Sequence, residues 1–197
     1  MYSQYYGLRE DPFGVTPNPH YLYLGGIHAE ALASLIYGIE NNRGFLTLIG
    51  PPGTGKTTLL FHLLESFRAT AHTAFIFQTK CTSDEFLRYL LHELGIDDSG
   101  KDLVHANNLF NELLLRAAST GKRVLVIIDE AQNLDRGVLE TVRLLSNFET
   151  PHSKLLQIIL AGQPGLAKEL AHYELRQLRQ RLASVIHLRP LTPKESS

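Results

Sequence analysis

The segment 50–57 holds four residues whose types and spacing suit phosphate binding. The pattern G-x-x-x-x-G-K-[ST] is matched by Gly50, Gly55, Lys56 and Thr57. Glycines at such positions let the backbone adopt positive φ angles and bring its N–H groups close to phosphate oxygens. In this pattern the lysine reaches the β and γ phosphates, and the hydroxyl of the next residue holds Mg²⁺. The sequence therefore predicts a site for a nucleoside triphosphate and magnesium.

The elements on either side of this loop support the interpretation. An apolar run over 45–49 predicts a buried strand before it, and a helix is predicted over 58–69. The positive end of that helix adds to the attraction for an anion. This context disfavours a glycine-rich turn with an incidental lysine, and the third glycine of a dinucleotide-binding G-x-G-x-x-G is missing. The candidate nucleotide-binding residues here are Gly50, Pro52, Gly53, Thr54, Gly55, Lys56, Thr57 and Thr58.

Two adjacent carboxylates follow another apolar run. The run 124–128 predicts a buried strand, and Asp129 and Glu130 come directly after it. Isolated charges are costly in such a place unless a cation or a water network meets them. We expect Asp129 to bind Mg²⁺, usually through water, and Glu130 to orient and polarise the attacking water. The alternative is that Asp129 only caps the turn after the strand.

Five apolar runs, separated by helical patterns, predict the fold. The predicted strands lie at about 45–49, 73–77, 124–128, 155–161 and 185–188. Helices are predicted from residue 27 to about 40 and over 58–69, 82–94, 109–118, 135–148 and 174–183, with Pro164 in the first turn of another. Strands that are apolar throughout and alternate with helices indicate a parallel sheet covered on both faces. The sequence thus predicts a three-layer α/β fold with its chemistry at the carboxyl ends of the strands.

Composition and charge exclude several classes of protein. The chain has 197 residues, 19 basic and 20 acidic, so its net charge is −1, and 44% of its residues are hydrophobic. This is the composition of a folded globular domain and not of a disordered chain. A single cysteine, Cys81, excludes an internal disulfide and favours a reducing, cytoplasmic setting. We expect no export signal and no membrane-spanning segment.

The glycine-rich loop and the segment 127–132 together resemble the AAA+ ATPase superfamily, whose Walker A and Walker B motifs they match. More narrowly, the chain resembles the ExeA-type ATPases of the general secretion pathway. The segments that carry this narrower resemblance are 6–13, 17–24, 28–32, 37–39, 44–45, 129–134, 160–166 and 175–182. The resemblance implies the fold of P-loop nucleoside triphosphatases, with strand order 5-1-4-3-2, and adenine nucleotide with Mg²⁺ as ligands.

The resemblance also implies further site residues. Members of this family form the adenine site between the N-terminal arm and the first helix, which points to Phe13, Tyr23 and His28 as neighbours of the base. For Phe13 and Tyr23, simple packing of the arm onto the core is an open alternative. Gln163 takes the place of the polar sensor residue after the fourth strand, although many AAA+ proteins have Asn or Thr there.

An arginine from the next subunit usually completes the site in this family. Arg176, Arg179 and Arg181 all lie just before the predicted fifth strand, and Arg181 best matches the family position. Arg176 and Arg179 share a helix face that Arg181 does not, so the three cannot all reach one nucleotide. A solvated basic helix face is the alternative for each of them.

The resemblance suggests how the chain is organised. Residues 1–26 are expected to form an arm that contributes to the nucleotide site, 27–191 the ATPase core, and 192–197 the start of a helical lid. Because the chain ends where that lid should begin, we expect the lid to be absent or truncated. In the full-length protein we expect a homo-oligomer, a cytoplasmic location that can include the cytoplasmic face of the inner membrane, and a secretion or envelope partner.

The sequence is consistent with two functions, and it disfavours a small-molecule kinase and a GTPase. The first is an ATP-hydrolysing module that drives assembly or remodelling of a bacterial secretion or pilus complex. The alternative is an ATP-dependent, DNA-associated regulator that resembles transposon ATPase subunits, although the near-neutral charge and the lack of a basic stripe disfavour it. A small-molecule kinase lacks a recognisable acceptor pocket and lid here, and a GTPase would need an N-K-x-D segment that does not occur.

Overall fold

A five-stranded parallel sheet forms the centre of the fold, in a computed structural model that describes residues 2–7, 18–100, 102–150, 153–192 and 195. The strands are β1 (Phe45–Ile49), β2 (Ala71–Ile76), β3 (Arg123–Ile128), β4 (Leu156–Gly162) and β5 (Leu182–His187). Their order across the sheet is β2-β3-β4-β1-β5, and every neighbouring pair is parallel. This confirms the predicted order 5-1-4-3-2, read from the opposite edge.

Besides a four-residue α-helix at Tyr2–Tyr5, seven α-helices of the described residues precede or connect these strands. They are α1 (Gly26–Glu40), α2 (Lys56–Phe67), α3 (Ser83–Glu93), α4 (Leu103–Ser119), α5 (Arg136–Leu145), α6 (Pro164–Leu170) and α7 (Arg176–Arg179). Three-residue 3-10 turns lie at Pro19–Tyr21, Ala131–Asn133 and Tyr173–Leu175. No helix in the described part of the chain has both the length and the apolar character needed to cross a bilayer.

Helix-capping residues fix several of these boundaries. Thr82 and Glu85 form the predicted capping box at the start of α3, where the Thr82 N–H donates to the Glu85 carboxylate at 2.8 Å. Asp135 caps α5 by accepting a hydrogen bond from the Val138 N–H at 2.8 Å. Asp102 does the same for α4, which therefore begins well before the predicted residue 109.

The predicted helix over 174–183 and the predicted strand at 185–188 were wrong in their boundaries. The helix α7 is only one turn long, and β5 begins at Leu182. The reason is that β5 is an edge strand, in which half-buried and exposed residues alternate. A search for continuous apolar runs misses the start of such a strand. The predicted end of α5 near 148 was also too late, because a two-stranded hairpin of Glu149–Thr150 and Ser153–Lys154 follows it.

The hydrophobic core lies in two layers, one on each face of the sheet. Alternate residues of β3 supply the two layers, because successive side chains of a strand point to opposite faces. Val124, Val126 and Ile128 pack with α3, α4 and α5 on one face. Leu125 and Ile127 pack with α1 and α2 on the other. The resulting three-layer arrangement holds the carboxyl ends of the strands at one edge of the molecule.

Helix α1 approaches β1 closely at Gly38. A Cβ atom at Gly38 would lie 2.6 Å from Cδ2 of Leu46, a side chain with only 1% exposure. We expect Gly38→Ala to lower the free energy of unfolding by about 1–3 kcal/mol, because it overfills a packed core. Chemical denaturation measures this change. Gly26→Ala in the same helix is the control, since a Cβ there meets no described residue within 4 Å. Equal stability of the two variants would contradict the prediction.

Candidate functional site

The glycine-rich loop follows β1, and backbone hydrogen bonds hold its first residue and the last residue of β1 to the segments on either side. The Gly50 N–H donates to the Gly162 carbonyl of β4 at 3.1 Å, and the Leu188 N–H donates to the Ile49 carbonyl at 2.8 Å. A Cβ at Gly50 would lie 2.8 Å from Thr54 Oγ1 and 3.0 Å from the backbone oxygen of Leu188. Only glycine therefore fits without a shift of the loop.

Positive φ angles shape the rest of the loop. Gly53 has φ = 75° and Gly55 has φ = 80°, in the region that L-residues rarely adopt. Gly55 is also the N-cap of α2, so the first N–H groups of a twelve-residue helix follow it directly. Free backbone donors and the positive helix end thus meet at this loop, which is an arrangement that attracts an anion.

Lys56 is buried at this loop, and its contacts in the described part of the chain are neutral. Its side chain is 5% exposed, and Nζ donates to the carbonyl oxygens of Gly50 at 2.9 Å and Pro51 at 3.1 Å. Among the described residues no carboxylate forms an ion pair with it. A buried ammonium that contacts only neutral carbonyls keeps its positive charge available for a phosphate group.

Thr57 and Asp129 lie in direct contact. The Thr57 hydroxyl donates to Asp129 Oδ2 at 2.6 Å, and Asp129 is only 2% exposed. This bond joins the loop after β1 to the end of β3, as the sequence predicted for two ligands of one cation. A hydroxyl and a carboxylate are oxygen ligands of the kind that Mg²⁺ prefers, so the donor set fits this ion. In the described ranges no group of three or more His, Cys, Asp and Glu residues forms a further metal cluster.

Glu130 turns away from Asp129 through a left-handed backbone. Its φ is 50° and its ψ is 35°, and its N–H donates to Asp129 Oδ1 at 2.9 Å. For a residue other than glycine this conformation costs about 1–2 kcal/mol. The two adjacent carboxylates therefore take different partners, as their proposed roles require.

The Glu130 carboxylate is held by two glutamine side chains. Gln132 Nε2 donates to Glu130 Oε2 at 2.5 Å, and Gln163 Nε2 donates to the same oxygen at 3.2 Å. The predicted sensor residue Gln163 thus lies beside the predicted water-activating residue. Gln132 was not among the predicted site residues, because a glutamine after the acidic pair has no chemical pattern that marks a role.

His28, predicted to lie beside the base, contacts the loop itself. Its side chain is 5% exposed, and Nε2 donates to the Thr54 carbonyl oxygen at 2.8 Å, since a carbonyl can only accept. Its other ring nitrogen, Nδ1, is buried and has no hydrogen-bond partner among the described residues. Phe13 lies outside the described residues.

A cleft of about 380 Å³ lies beside the loop. This volume is within the usual range of small-molecule sites, roughly 300–1,000 Å³. Tyr23 is 57% exposed at its edge. The cleft is lined by Tyr21, Leu22, Tyr23, His28, Gly53, Thr54, Gly55, Thr58, Pro190 and Leu191.

The three candidate arginines differ in their contacts. Arg176 lies over the Tyr173 ring and donates to its hydroxyl at 2.9 Å. Arg181 is half-buried and donates to Ser146 Oγ at 2.7 Å. Arg179 is exposed, and no ion pair or side-chain hydrogen bond within the described ranges involves its guanidinium.

Arg181 lies far from the loop of its own chain. In the parallel β1–β5 pair, Leu182 is opposite Phe45 and His187 is opposite Ile49. Arg181 therefore lies near the amino end of β1, whereas the loop follows its carboxyl end. Four steps of about 3.3 Å along a strand separate these ends by roughly 13 Å.

The chain has the fold of the P-loop nucleoside triphosphatase class, with a glycine-rich loop between a central strand and its helix, and an acidic pair at the end of the strand two places away. The AAA domain family matches residues 39–170, and the chain belongs to this family. The chain is also 42% identical, over 198 aligned positions, to general secretion pathway protein A of Aeromonas hydrophila. The match covers 99% of this chain but only 36% of that protein, so the chain spans about a third of its relative. The predicted resemblance is thereby confirmed.

Solved structures of low sequence identity share the fold. The ORC2 protein of Aeropyrum pernix, in its ADPNP-ADP complexes, is 17% identical, with a TM-score of 0.67 over 87% of this chain and 49% of that chain. The Cdc6p protein of Pyrobaculum aerophilum is 20% identical, with a TM-score of 0.65 over 94% of this chain and 49% of that chain. These likenesses support the three-layer α/β architecture of the P-loop fold.

The bond between His28 and Thr54 gives a prediction about the stability of the loop. We expect His28→Leu to lower the free energy of unfolding by about 1–3 kcal/mol, because it leaves the buried Thr54 carbonyl without a partner. Urea denaturation of the nucleotide-free protein is the measurement. His92→Leu is the control, because His92 is exposed on α3. A His28→Leu protein as stable as the control would show that this bond does not fix the loop.

Proposed function

We propose that this chain is an ATP-binding, Mg²⁺-dependent ATP-hydrolysing module. The observation that carries the proposal is the 2.6 Å hydrogen bond between Thr57 and Asp129. It brings the phosphate-binding loop and the acidic strand end into one site. The buried, unneutralised charge of Lys56 beside them supplies the attraction for a triphosphate.

Each polar residue of this site has a proposed role. Lys56 would exchange its two carbonyl partners for oxygens of the β and γ phosphates. Thr57 and Asp129 would hold Mg²⁺, Asp129 through water. Bound Mg²⁺ would supply positive charge to the phosphate oxygens during transfer of the γ-phosphoryl group.

Glu130 and Gln163 would act on the attacking water. The Glu130 carboxylate accepts hydrogen bonds in the structure, so it can also accept one from a water and take its proton as the phosphorus–oxygen bond forms. Gln163, beside it at the start of α6, would contact the γ-phosphate or this water. Hydrolysis would release ADP and phosphate.

Substitutions of Glu130 and Lys56 separate binding from hydrolysis. We expect Glu130→Gln to retain ATP but to lower kcat by at least about 100-fold, because it removes the proton acceptor. We expect Lys56→Ala to lose ATP binding, because the charge that faces the phosphates is gone. Isothermal titration with ATP and Mg²⁺ measures binding, and phosphate release measures turnover. Unchanged hydrolysis by Glu130→Gln would refute the role of Glu130.

The cleft beside the loop is the proposed site of the adenine base. His28 would support it from α1 by fixing the loop, and Tyr23 lies at its edge. Phe13 remains a predicted neighbour of the base. The arm 1–26, the core 27–191 and a lid that starts at 192–197 remain our proposed division of the chain.

We propose that Arg181 completes the site of a neighbouring copy. It cannot reach the loop of its own chain, because it lies at the opposite end of β1. The bond to Ser146 holds its guanidinium in one place. The nearby Glu140 carboxylate forms its ion pair with Arg143 and, in the described residues, none with Arg181, although Arg143 first and Arg181 to a lesser degree lower the pKa of Glu140. The pKa of Lys154 is lowered, mainly by burial and further by the positive charge of Arg181. The charge of Arg181 therefore acts on neighbouring groups. A guanidinium that is fixed in place and engaged in no ion pair of the described residues is suited to stabilise charge on a transferring phosphoryl group.

A mixing experiment tests this arrangement in the full-length oligomer. We expect Arg181→Ala to lower kcat by about 1,000-fold, because an arginine of this type is worth that much to phosphoryl transfer. Mixing it with the inactive Glu130→Gln protein should restore part of the activity, because some interfaces then combine an intact Glu130 with an intact Arg181. Phosphate release across mixing ratios measures this. Arg179→Ala is the control on the neighbouring position and should keep its activity. Loss of activity in Arg179→Ala alone would transfer the role to Arg179.

At the level of the cell, we propose that ATP turnover drives assembly or remodelling of a secretion or pilus complex from the cytoplasmic side of the envelope. The similarity to general secretion pathway protein A supports this role. The partner would be an envelope protein, and the working form a homo-oligomer. Expression of Glu130→Gln in place of the wild-type protein should block that assembly, and normal secretion in such cells would refute the proposal.

A further inference from the structure

One side chain, that of Gln132, connects the acidic strand end to the end of β4. Its amide nitrogen donates to Glu130 Oε2 at 2.5 Å, and its amide oxygen accepts from the backbone N–H of Gln163 at 2.9 Å. The orientation of the amide follows from chemistry, because an N–H can only donate to the oxygen and a carboxylate can only accept from the nitrogen. Gln132 therefore uses both ends of its side chain between two residues of the site.

The absence of a side chain at Gly162 of β4 leaves room for the side chain of Gln132. A Cβ at Gly162 would lie 2.5 Å from the amide oxygen of Gln132. Gly162 is the last residue of β4, immediately before Gln163. The turn Ala131–Asn133, which carries Gln132, packs between β4 and α6. The glycine thus permits the close approach of the Gln132 side chain to the strand end.

The three hydrogen bonds form a closed set. Gln163 reaches Glu130 directly through its side chain at 3.2 Å, and indirectly through its backbone and Gln132. If the Gln163 side chain turns to a phosphate, the path through Gln132 still holds the Glu130 carboxylate. The backbone of Glu130 is in a left-handed conformation, which persists only where surrounding contacts hold the residue, and these hydrogen bonds are among those contacts.

We propose that Gln132 is a positioning residue, which fixes the Glu130 carboxylate relative to the end of β4. The inference rests on the proposed ATP hydrolysis and deepens it. Gln132 itself touches neither nucleotide nor water in this role. It acts only through Glu130. The other end of its side chain is held by the backbone N–H of the sensor residue Gln163.

The substitution Gln132→Glu separates this role from simple structural support. Glutamate has the same shape and still accepts from the Gln163 N–H, but it cannot donate to Glu130 and brings a like charge beside it. We expect Gln132→Glu to lower kcat by about 100-fold with KM for ATP unchanged, because a misplaced catalytic group costs about that much. Steady-state phosphate release measures both constants. Gln177→Glu, the same change at an exposed position of α7, is the control and should match the wild type.

A charge exchange provides a second test that does not depend on activity. We expect Gln132→Glu to lower the Tm of the nucleotide-free protein, and the double variant Glu130→Gln with Gln132→Glu to restore it. The double variant recreates the amide–carboxylate contact in reverse, but it has no carboxylate at residue 130 and should not hydrolyse ATP. Differential scanning calorimetry and phosphate release measure the two properties.

The outcomes distinguish this inference from the proposed function. Wild-type protein that hydrolyses ATP, together with a Gln132→Glu variant of wild-type kcat and Tm, would overturn the role of Gln132 and leave the ATPase intact. Wild-type protein without hydrolysis would overturn the proposed function. In that case, recovery of Tm in the double variant would still support the contact between residues 130 and 132, and failure to recover would refute it.

Discussion

The site depends on the contact between Thr57 and Asp129, and that contact depends on the order of the strands. In a parallel sheet the carboxyl ends of all strands lie on the same side of the sheet, so the segments that follow β1, β4 and β3 must meet there. The strand β4 lies between the other two. It therefore places Gln163 between the phosphate-binding loop and the acidic pair. One topological feature thus brings together residues that are more than a hundred positions apart in the chain.

Two buried charges at this site have no ion-pair partner among the residues that the structure describes. Lys56 and Asp129 are both buried, yet they do not pair with each other: the lysine contacts two carbonyl oxygens and the aspartate contacts a hydroxyl and a backbone N–H. Buried charges of this kind are costly unless a ligand adds the missing counter-charges. A triphosphate with a divalent cation supplies a negative group for Lys56 and a positive one for Asp129. The stabilisation that such a ligand gives would therefore be large at this edge of the sheet.

Much of this site could be predicted from the sequence, because a few residue types at fixed spacing have one chemical explanation. Lys56, Thr57 and Asp129 were predicted as one site, and the structure brings them together. The edge strand β5 was predicted with wrong limits, because alternation of half-buried and exposed residues leaves no continuous apolar run. Gln132 could not have been found, since its role arises from a closed set of hydrogen bonds in three dimensions. The contact of His28 with the loop backbone was missed for the same reason, although its proximity to the site was predicted.

The position of Arg181 has a consequence for how copies of the chain can associate. In the proposed role of Arg181, each copy receives an arginine at the carboxyl ends of its strands. It contributes its own arginine from near the amino ends. Such a contact joins two different surfaces, so a two-fold symmetric pair would not satisfy it. Repeated from copy to copy, it produces a closed ring when the rotation between neighbours divides a full circle, and an open helical filament when it does not. The subunits at the two ends of an open filament would then differ, one with an unmatched nucleotide site and the other with an unused arginine.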